Sequence, residues 1–369
     1  MTPEEIELLS ELTIFIPTYK RSRELERAIE YWRDTPVTIH ILDGSDIAFF
    51  PVGLQGGTNS IYYHSFPQNT ETVTENWGRR LKFATSLMKT KFAAFCCDDD
   101  VFVVGGLIKA LHLLSGGVGD AVAGKTGEYL LQNDEVIWTH KYPHWKDQAL
   151  QRSVNVGERL MFDGGAHAFY GIYRSELLAK IHGIGNLYAF PVPVWHSMLI
   201  ITLIKVFSRV IYVDDLFWLK CGINYPESRP IKFAQIFWDK RFVVDSDKFL
   251  EGLSLAIRVV DPAMTDDDIL DLVTKFKNQF AKPKKWKKTV VKLKAQTLRT
   301  IGKLPQFVRE TIFACLPSGL KKRIGNSNFE VNFKPVVSLS EQDLMNDSLK
   351  KWERILLMPR EELRLKANI

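Results

Sequence analysis

Three consecutive aspartates follow an apolar run near residue 100. The apolar residues Phe92 to Cys97 lead into Asp98, Asp99 and Asp100, after which apolar residues resume. A short apolar run bounded by polar residues predicts a buried strand. Adjacent carboxylates at the end of such a strand repel one another, and burial disfavours their charged forms further. A divalent cation would relieve this repulsion, since Mg²⁺ or Mn²⁺ is held by one or two carboxylates together with substrate phosphates.

Successive side chains of a strand point to opposite faces of the sheet, so the three aspartates would not all face the same way. Residues 98 and 100 would point to one side and residue 99 to the other, so we expect Asp98 and Asp100 to be the cation ligands. The alternative interpretation is an acidic turn or a helix N-cap, where aspartate is common. A second triplet, Asp266 to Asp268, follows Thr265. We interpret it as capping, because carboxylates stabilise the positive end of a helix dipole.

The first hundred residues alternate between strand and helix patterns. Strands are predicted from Thr13 until Pro17 ends the run, then at 37–42, 61–64 and 92–97. Helices are predicted from Ser22 and over Trp77 to Met88. This order predicts an α/β fold with a largely parallel sheet flanked by helices. Ligands of such sheets bind beyond the carboxyl ends of the strands, so residues 17–19, 43–45 and 98–100 should meet at one cleft.

The length and charge pattern indicate two parts. A chain of 369 residues is long for a single domain. We expect an α/β domain over 1–230 and a mainly helical region over 231–369. Within the second part, residues 272–309 contain twelve basic residues and no acidic one, interleaved with Trp286 and aliphatic side chains.

The basic tract and the N-terminus bear on where in the cell the protein is expected. A cationic amphipathic stretch suits the surface of an anionic membrane, and a solvated helix pair is the alternative. Nucleic-acid binding is not expected, because the excess charge lies away from the predicted cleft. The acidic N-terminus is not typical of a secretory signal, and no apolar run is long enough to span a bilayer. With four cysteines that show no metal-binding spacing, we expect reduced thiols in a cytoplasmic protein that contacts the inner membrane face peripherally.

Several of these segments resemble a known family. The opening Thr13-Ile-Phe-Ile-Pro-Thr-Tyr-Lys-Arg21, the strand end Asp43-Gly-Ser45 and the triplet at 98–100 are similar to the nucleotide-sugar half of GT-A glycosyltransferases. The similarity is to family-2-like bacterial enzymes of polysaccharide assembly with a DXD-type motif, and it covers roughly residues 11–225. A later segment, Gly171-Ile-Tyr-Arg-Ser-Glu176, also fits, although Ile172 stands where the family has an aromatic residue.

The resemblance implies a Rossmann-like GT-A fold, a nucleotide-diphosphate sugar donor (a UDP-sugar first), and Mn²⁺ or Mg²⁺ as the cofactor. The acceptor would be a glycan or a lipid-linked glycan. The positions that match the motifs imply donor or nucleotide contacts at Pro17, Thr18, Tyr19, Arg21, Asp43, Ser45, Lys82, Asp98 and Asp99. Asp98 and Asp100 would hold the metal.

Transfer of the sugar also requires a general base if the reaction inverts the anomeric centre. The family usually carries a carboxylate at the start of the helix after the acceptor loop, where this chain has Val194-Trp-His-Ser197. Asp163, in an Asp-Gly-Gly segment, and His196 are the candidates for the base. Two other functions fit an α/β site with carboxylates. One is a nucleotidyltransferase, although the glycine-rich loop expected after its first strand is missing from this sequence. The other is a non-catalytic binding protein that docks to membranes.

Overall fold

A computed structural model gives the fold of the chain. It describes residues 1–49, 60–68, 71–132, 135–140, 153–161, 165–190, 192–222, 237–280, 347–359 and 361–363. The predicted general base Asp163 and residues 281–309 of the basic tract lie outside these described residues.

Nine strands and ten α-helices are found within the described part of the chain. The strands are β1 (Leu12–Thr18), β2 (Thr38–Asp43), β3 (Ser60–Ser65), β4 (Phe92–Phe95), β5 (Val101–Phe102), β6 (Ala121–Gln132), β7 (Glu135–His140), β8 (Ile172–Arg174) and β9 (Val210–Cys221). The helices are α1 (Pro3–Ser10), α2 (Ser22–Trp32), α3 (Val73–Ser86), α4 (Val104–Ser115), α5 (Val156–Met161), α6 (Ser175–Gly185), α7 (Pro193–Phe207), α8 (Val243–Val260), α9 (Asp266–Gln279) and α10 (Asp347–Leu357).

The predicted α/β architecture is confirmed, with helices on both faces of one sheet. The first four strands are parallel and lie in the order β3-β2-β1-β4. This is the strand order of a mononucleotide-binding half, in which β1 lies beside the point where the chain reverses direction across the sheet. The carboxyl ends of β1 and β2 lie side by side, because Thr18 pairs with Asp43.

Pro17 lies inside β1 and does not end it, contrary to the sequence prediction. Phe15 accepts a hydrogen bond from Cys96 N–H, so residue 17, two positions further on, also faces the β4 side. β4 has already ended at Phe95, opposite Phe15. The missing N–H of Pro17 therefore removes no hydrogen bond from the ladder.

The second half of the sheet mixes strand directions. β8 joins β4 to β6 through antiparallel pairs, while β6 and β9 run parallel over most of their length. The sequence predicted that β9 stops at Val213, before Asp214 and Asp215. The strand instead continues to Cys221 across an irregularity in its pairing with β6 near Lys125, and this irregularity leaves the side chain of Asp214 exposed.

Capping and amphipathicity explain the helices beside the nucleotide-binding half. α2 buries Leu25, Ala28 and Trp32, the stripe predicted from its spacing. α3 begins four residues earlier than predicted. The reason is a capping box, in which the Thr72 hydroxyl accepts from Glu75 N–H and the Glu75 carboxylate accepts from Thr72 N–H.

Two hydrophobic cores lie on opposite faces of the sheet. Ile14 and Ile16 belong to one core and Phe15 to the other, as the alternation of β1 requires. α10 contributes Trp352 to the first core, and α8 contributes Phe249 to the second. The described C-terminal helices thus complete the cores of the sheet, while the division at residue 230 stays a prediction because residues 223–236 lie outside the description.

None of the helices in the described ranges combines the length and the apolar character that crossing a membrane would require.

Two neighbouring glycines in α4 test the packing of this helix on β9. A Cβ at Gly106 would lie 2.9 Å from the Leu216 carbonyl oxygen and 3.1 Å from Phe217 Cα, whereas one at Gly105 would meet nothing within 4 Å. We expect Gly106→Ala to lower the free energy of unfolding by about 2 kcal/mol through overpacking. The matched control, Gly105→Ala, should raise it by up to about 0.5 kcal/mol through helix propensity. Urea denaturation measures both, and effects of equal size would contradict the packing of α4 described above.

Candidate functional site

The aspartate triplet forms a turn beyond the end of β4. The strand ends at Phe95, and Asp100 N–H donates to the Cys97 carbonyl at 3.3 Å. The expectation that Asp98 and Asp100 point the same way is therefore wrong, because strand alternation does not extend into a turn. Each of the three carboxylates has its own surroundings.

Asp98 points toward the end of β1. One of its oxygens accepts from the Thr18 hydroxyl at 2.6 Å, and the other accepts from Arg21 Nη1 at 2.8 Å. The side chain is buried, and desolvation raises its pKa to about 7 against the opposing effects of Arg21 and Thr18. Its two oxygens are thus already engaged with the first strand and the turn that follows it.

Asp99 shares its guanidinium partner with Asp98, whereas Asp100 faces the end of β9. Asp99 accepts from Arg21 Nη2 at 2.5 Å, so one guanidinium bridges two neighbouring carboxylates. Asp100 is buried and accepts from Cys221 N–H, at the end of β9, at 2.9 Å. Burial raises the pKa of Asp100 well above its ordinary value, and the neighbouring Asp99 adds to this effect.

The donor atoms at this turn fit a divalent cation. One ligand atom each from Cys97, Asp99 and Asp100 lies within 4.8 Å of the others. Two carboxylates, completed by water or phosphate, are the oxygen ligands that Mg²⁺ and Mn²⁺ prefer. The geometry therefore favours Asp99 with Asp100 over the predicted pair of Asp98 with Asp100.

A cavity of about 480 Å³ opens beside this turn, at the carboxyl ends of β1 and β2. Its size is in the range of small-molecule sites. Its lining residues are Thr18, Lys20, Arg21, Ser22, Leu25, Asp43, Ser45, Asp46, Ile47, Ala48 and Phe49. Arg21 thus belongs both to the cavity and to the aspartate turn. Pro17 and Tyr19 do not line the cavity; Pro17 is buried in β1, and the Tyr19 hydroxyl donates to Gln68 at 3.3 Å.

Asp43 organises the loop that walls this cavity. One of its oxygens accepts from Ser45 N–H at 2.8 Å, and the other accepts from the Tyr63 hydroxyl and, at 3.4 Å, from Phe49 N–H. Ser45 in turn accepts from Lys20 N–H at 2.8 Å, where the Lys20 backbone is left-handed with φ of 57°. The loops after β1 and β2 are therefore joined into one wall.

Arg80 is the site residue that sequence reasoning missed. The predicted Lys82 side chain is exposed, whereas Arg80, two residues earlier on α3, is buried. Its guanidinium donates to the carbonyls of Thr18 at 2.9 Å and Leu42 at 3.1 Å. Burial lowers the pKa of Arg80 to about 10, while Asp43 and Asp98 favour its charged form. The signal was present in the sequence, since Arg80 lies four residues before Ala84 on the buried face of α3.

His196 lies in the core between α6 and α7. Its side chain is 5% exposed, and its Nε2 lies 3.2 Å from Asn186 Oδ1. Burial lowers the pKa of His196 to about 4. Burial also lowers the pKa of the nearby His182 to about 3, and His196 adds to that effect. These are the contacts of a core histidine, and its assignment as a general base stays a prediction.

Known proteins offer only distant comparisons. No protein-family model matches the chain, and no curated protein matches it significantly. The fold is similar to that of Staphylococcus aureus TarS 1-349 in complex with UDP-GlcNAc, with a TM-score of 0.44 and 12% identity over 72% of this chain and 71% of that one. The same TarS fragment with UDP gives a TM-score of 0.43 and 13% identity, over 96% of this chain and 91% of that one. Both scores lie below 0.5.

Arg80 and Lys82 provide a matched test of the site's scaffold. We expect Arg80→Met to lower the free energy of unfolding by about 3 kcal/mol, because two buried carbonyls lose their donor. Lys82→Met should change it by no more than about 0.5 kcal/mol, since the side chain is exposed. Equilibrium urea denaturation measures both values. Equal losses in the two variants would contradict the scaffolding role of Arg80.

The buried His196 predicts a pH dependence of stability. Its pKa in the folded protein, about 4, lies below the value of 6.5 for an unfolded chain. The unfolded state therefore binds protons first, and stability falls as the pH drops from 6.5 toward 4. For His196 this loss amounts to about 3 kcal/mol. His196→Gln should make the profile less steep in that range, with the remaining slope due to the buried His182 and His40, while the exposed His112→Gln should leave it unchanged. Equal slopes in the wild type and His196→Gln would refute this assignment.

Proposed function

We propose that the chain is a metal-dependent glycosyltransferase that uses a nucleotide-diphosphate sugar. The observation that carries the proposal is the meeting of three strand ends around Arg21. Thr18 at the end of β1, the loop that follows Asp43 of β2 and the aspartate turn after β4 are joined by hydrogen bonds at one edge of a parallel sheet. Ligands of doubly wound sheets bind at this edge.

The cavity suits the nucleoside part of such a donor. Phe49 and Ile47 offer apolar surface for a base, and Asp43, Asp46 and Ser45 offer polar groups for its edge or for the ribose. The carboxylate of Asp43 is held in place by the Ser45 and Phe49 amides and the Tyr63 hydroxyl, so it is oriented before any ligand arrives. Pre-organisation of this kind reduces the entropy cost of binding.

The diphosphate would lie between the cavity and the aspartate turn. Arg21 lies between these two places, and its fixed fork of donors suits phosphate oxygens as well as carboxylates. Asp99 and Asp100 would hold the divalent cation, with Asp98 orienting Arg21. When bound, Mg²⁺ or Mn²⁺ supplies Lewis acidity that stabilises the charge of the departing nucleotide.

The acceptor side of the proposal rests on the sequence. We propose a glycan or a lipid-linked glycan as the acceptor, with the basic tract 272–309 favouring an anionic membrane surface. Deprotonation of the acceptor hydroxyl in an inverting reaction would fall to Asp163 ahead of His196, since the latter is buried in the core.

Nucleotide binding tests the proposal directly. We expect UDP, GDP, CDP or dTDP, together with Mn²⁺, to raise the melting temperature of the protein in a thermal-shift screen. The base of the preferred diphosphate would identify the donor. Preference for a triphosphate would indicate a nucleotidyltransferase instead, and the absence of any response would refute nucleotide-dependent chemistry.

The two aspartate triplets supply a matched pair of variants. Asp100→Asn should weaken Mn²⁺ binding and reduce sugar transfer by about a hundredfold or more, because a ligand charge is lost. Asp267→Asn, in the capping triplet of α9, should leave both unchanged, since its side chain is exposed at a helix start. Electron paramagnetic resonance of Mn²⁺ and a transfer assay would measure these effects. Normal turnover by a folded Asp100→Asn protein would overturn the role of the metal.

A further inference from the structure

The C-terminal helix α10 packs against the elements that support the aspartate turn. Trp352 is fully buried and contacts two tyrosine rings edge-on, with centroid distances of 5.5 Å to Tyr31 and 6.0 Å to Tyr129. The helix is fixed at both ends as well. Near its start, Ser348 Oγ accepts from Val104 N–H at 3.2 Å; near its end, the Leu356 carbonyl accepts from Arg27 Nη2 at 2.6 Å.

Both tyrosines reach the backbone around the aspartate turn. The Tyr129 hydroxyl donates to the carbonyl of Asp99, and the Tyr31 hydroxyl donates to the carbonyl of Phe102 at 2.8 Å. These two carbonyls lie on either side of Asp100. Both tyrosines are buried, Tyr31 on α2 and Tyr129 on β6. One tryptophan therefore supports two hydroxyl groups that hold the segment 99–102 from both sides.

The side chain of Asp100 is held by the same part of the sheet. Its carboxylate accepts from Cys221 N–H, and Cys221 pairs with Tyr129 in the ladder between β6 and β9. The backbone before Asp100 and the carboxylate itself are thus fixed by neighbouring residues of one ladder. A shift of Tyr129 would change the position of Asp99 relative to Asp100, which are the two carboxylates placed at the candidate cation site.

We propose that Trp352, Tyr129 and Tyr31 are positioning residues of the donor site, and that α10 acts as a clamp which fixes the aspartate turn for cation binding. The inference rests on the proposed function in one respect, namely that the aspartate turn binds a cation. The clamp itself is a property of the fold. No side chain of α10 needs to touch the donor, since the helix acts through the two tyrosines.

Such a clamp is needed because the strands on either side of the turn give it few hydrogen bonds. β4 ends at Phe95 and β5 contains only two residues, so few ladder hydrogen bonds flank residues 96–100. Buried carboxylates that repel each other favour any movement that separates them. Fixed ligand geometry is what a small cation such as Mg²⁺ requires, and outer contacts that orient ligands commonly decide metal affinity.

Removal of one hydroxyl tests the clamp without removing a ring. In the full-length protein, Tyr129→Phe should weaken Mn²⁺ binding by about tenfold, equivalent to about 1.4 kcal/mol. It should also accelerate amide hydrogen exchange in residues 97–103 by about tenfold, because local opening becomes easier. The matched control is Tyr212→Phe, which removes a buried hydroxyl near the start of β9, in the core on the opposite face of the sheet. This control should leave both measurements at the wild-type values.

A pair of variants at Trp352 extends the test to α10. Trp352→Leu should weaken Mn²⁺ binding and accelerate amide exchange at 97–103, measured well below the melting temperature. Trp352→Phe keeps an aromatic ring against the two tyrosines, so its Mn²⁺ affinity and exchange rates should stay close to those of the wild type. Unchanged exchange at 97–103 in both Tyr129→Phe and Trp352→Leu would overturn the clamp. If the wild-type protein binds neither Mn²⁺ nor nucleotide, the proposed function fails, and the exchange measurement still decides whether the clamp exists.

Discussion

The structure depends on how the negative charges of buried carboxylates at the edge of the sheet are balanced by neighbouring donors and cations. Asp98, Asp99 and Asp100 follow a strand with no exposed face, so their charges are placed where water is scarce. Arg21 bridges two of them, and the Cys221 amide reaches the third. Burial still keeps the pKa values of Asp98 and Asp100 raised. The site therefore has an incomplete supply of positive charge, and a cation with a phosphate ligand would complete it.

A second guanidinium holds the scaffold beneath this site. Arg80 joins the carbonyls at the ends of β1 and β2, and it does so from the buried face of α3. Gly44 allows this approach, because a Cβ at that position would lie 2.8 Å from Arg80 Cζ. A buried arginine with backbone partners fixes the spacing of the two strand ends. The cavity between the loops that follow these strands consequently has a defined width before any ligand binds.

Local patterns in the sequence were sufficient for much of the fold. The short apolar run of β1, the apolar stripe of α2 and the order of strands and helices predicted an α/β sheet, because these signals depend on neighbouring residues alone. The predicted meeting of three strand ends also followed from the parallel order. The apolar stripe did not give the start of α3, which begins four residues earlier because Thr72 and Glu75 form a capping box.

The sequence by itself determined that three carboxylates would follow a buried strand, at a cleft where three strand ends meet. Only the tertiary structure decided where each carboxylate points, since a turn removes the alternation that a strand would impose. It also decided that Arg80 and not Lys82 lies under the site, that β9 continues to Cys221, and that Trp352 packs behind the aspartate turn. These outcomes depend on contacts between residues that are far apart in the chain. Such contacts are set by packing of the whole sheet. Local periodicity can place Arg80 on the buried face of α3, but it does not give the carbonyls that Arg80 binds.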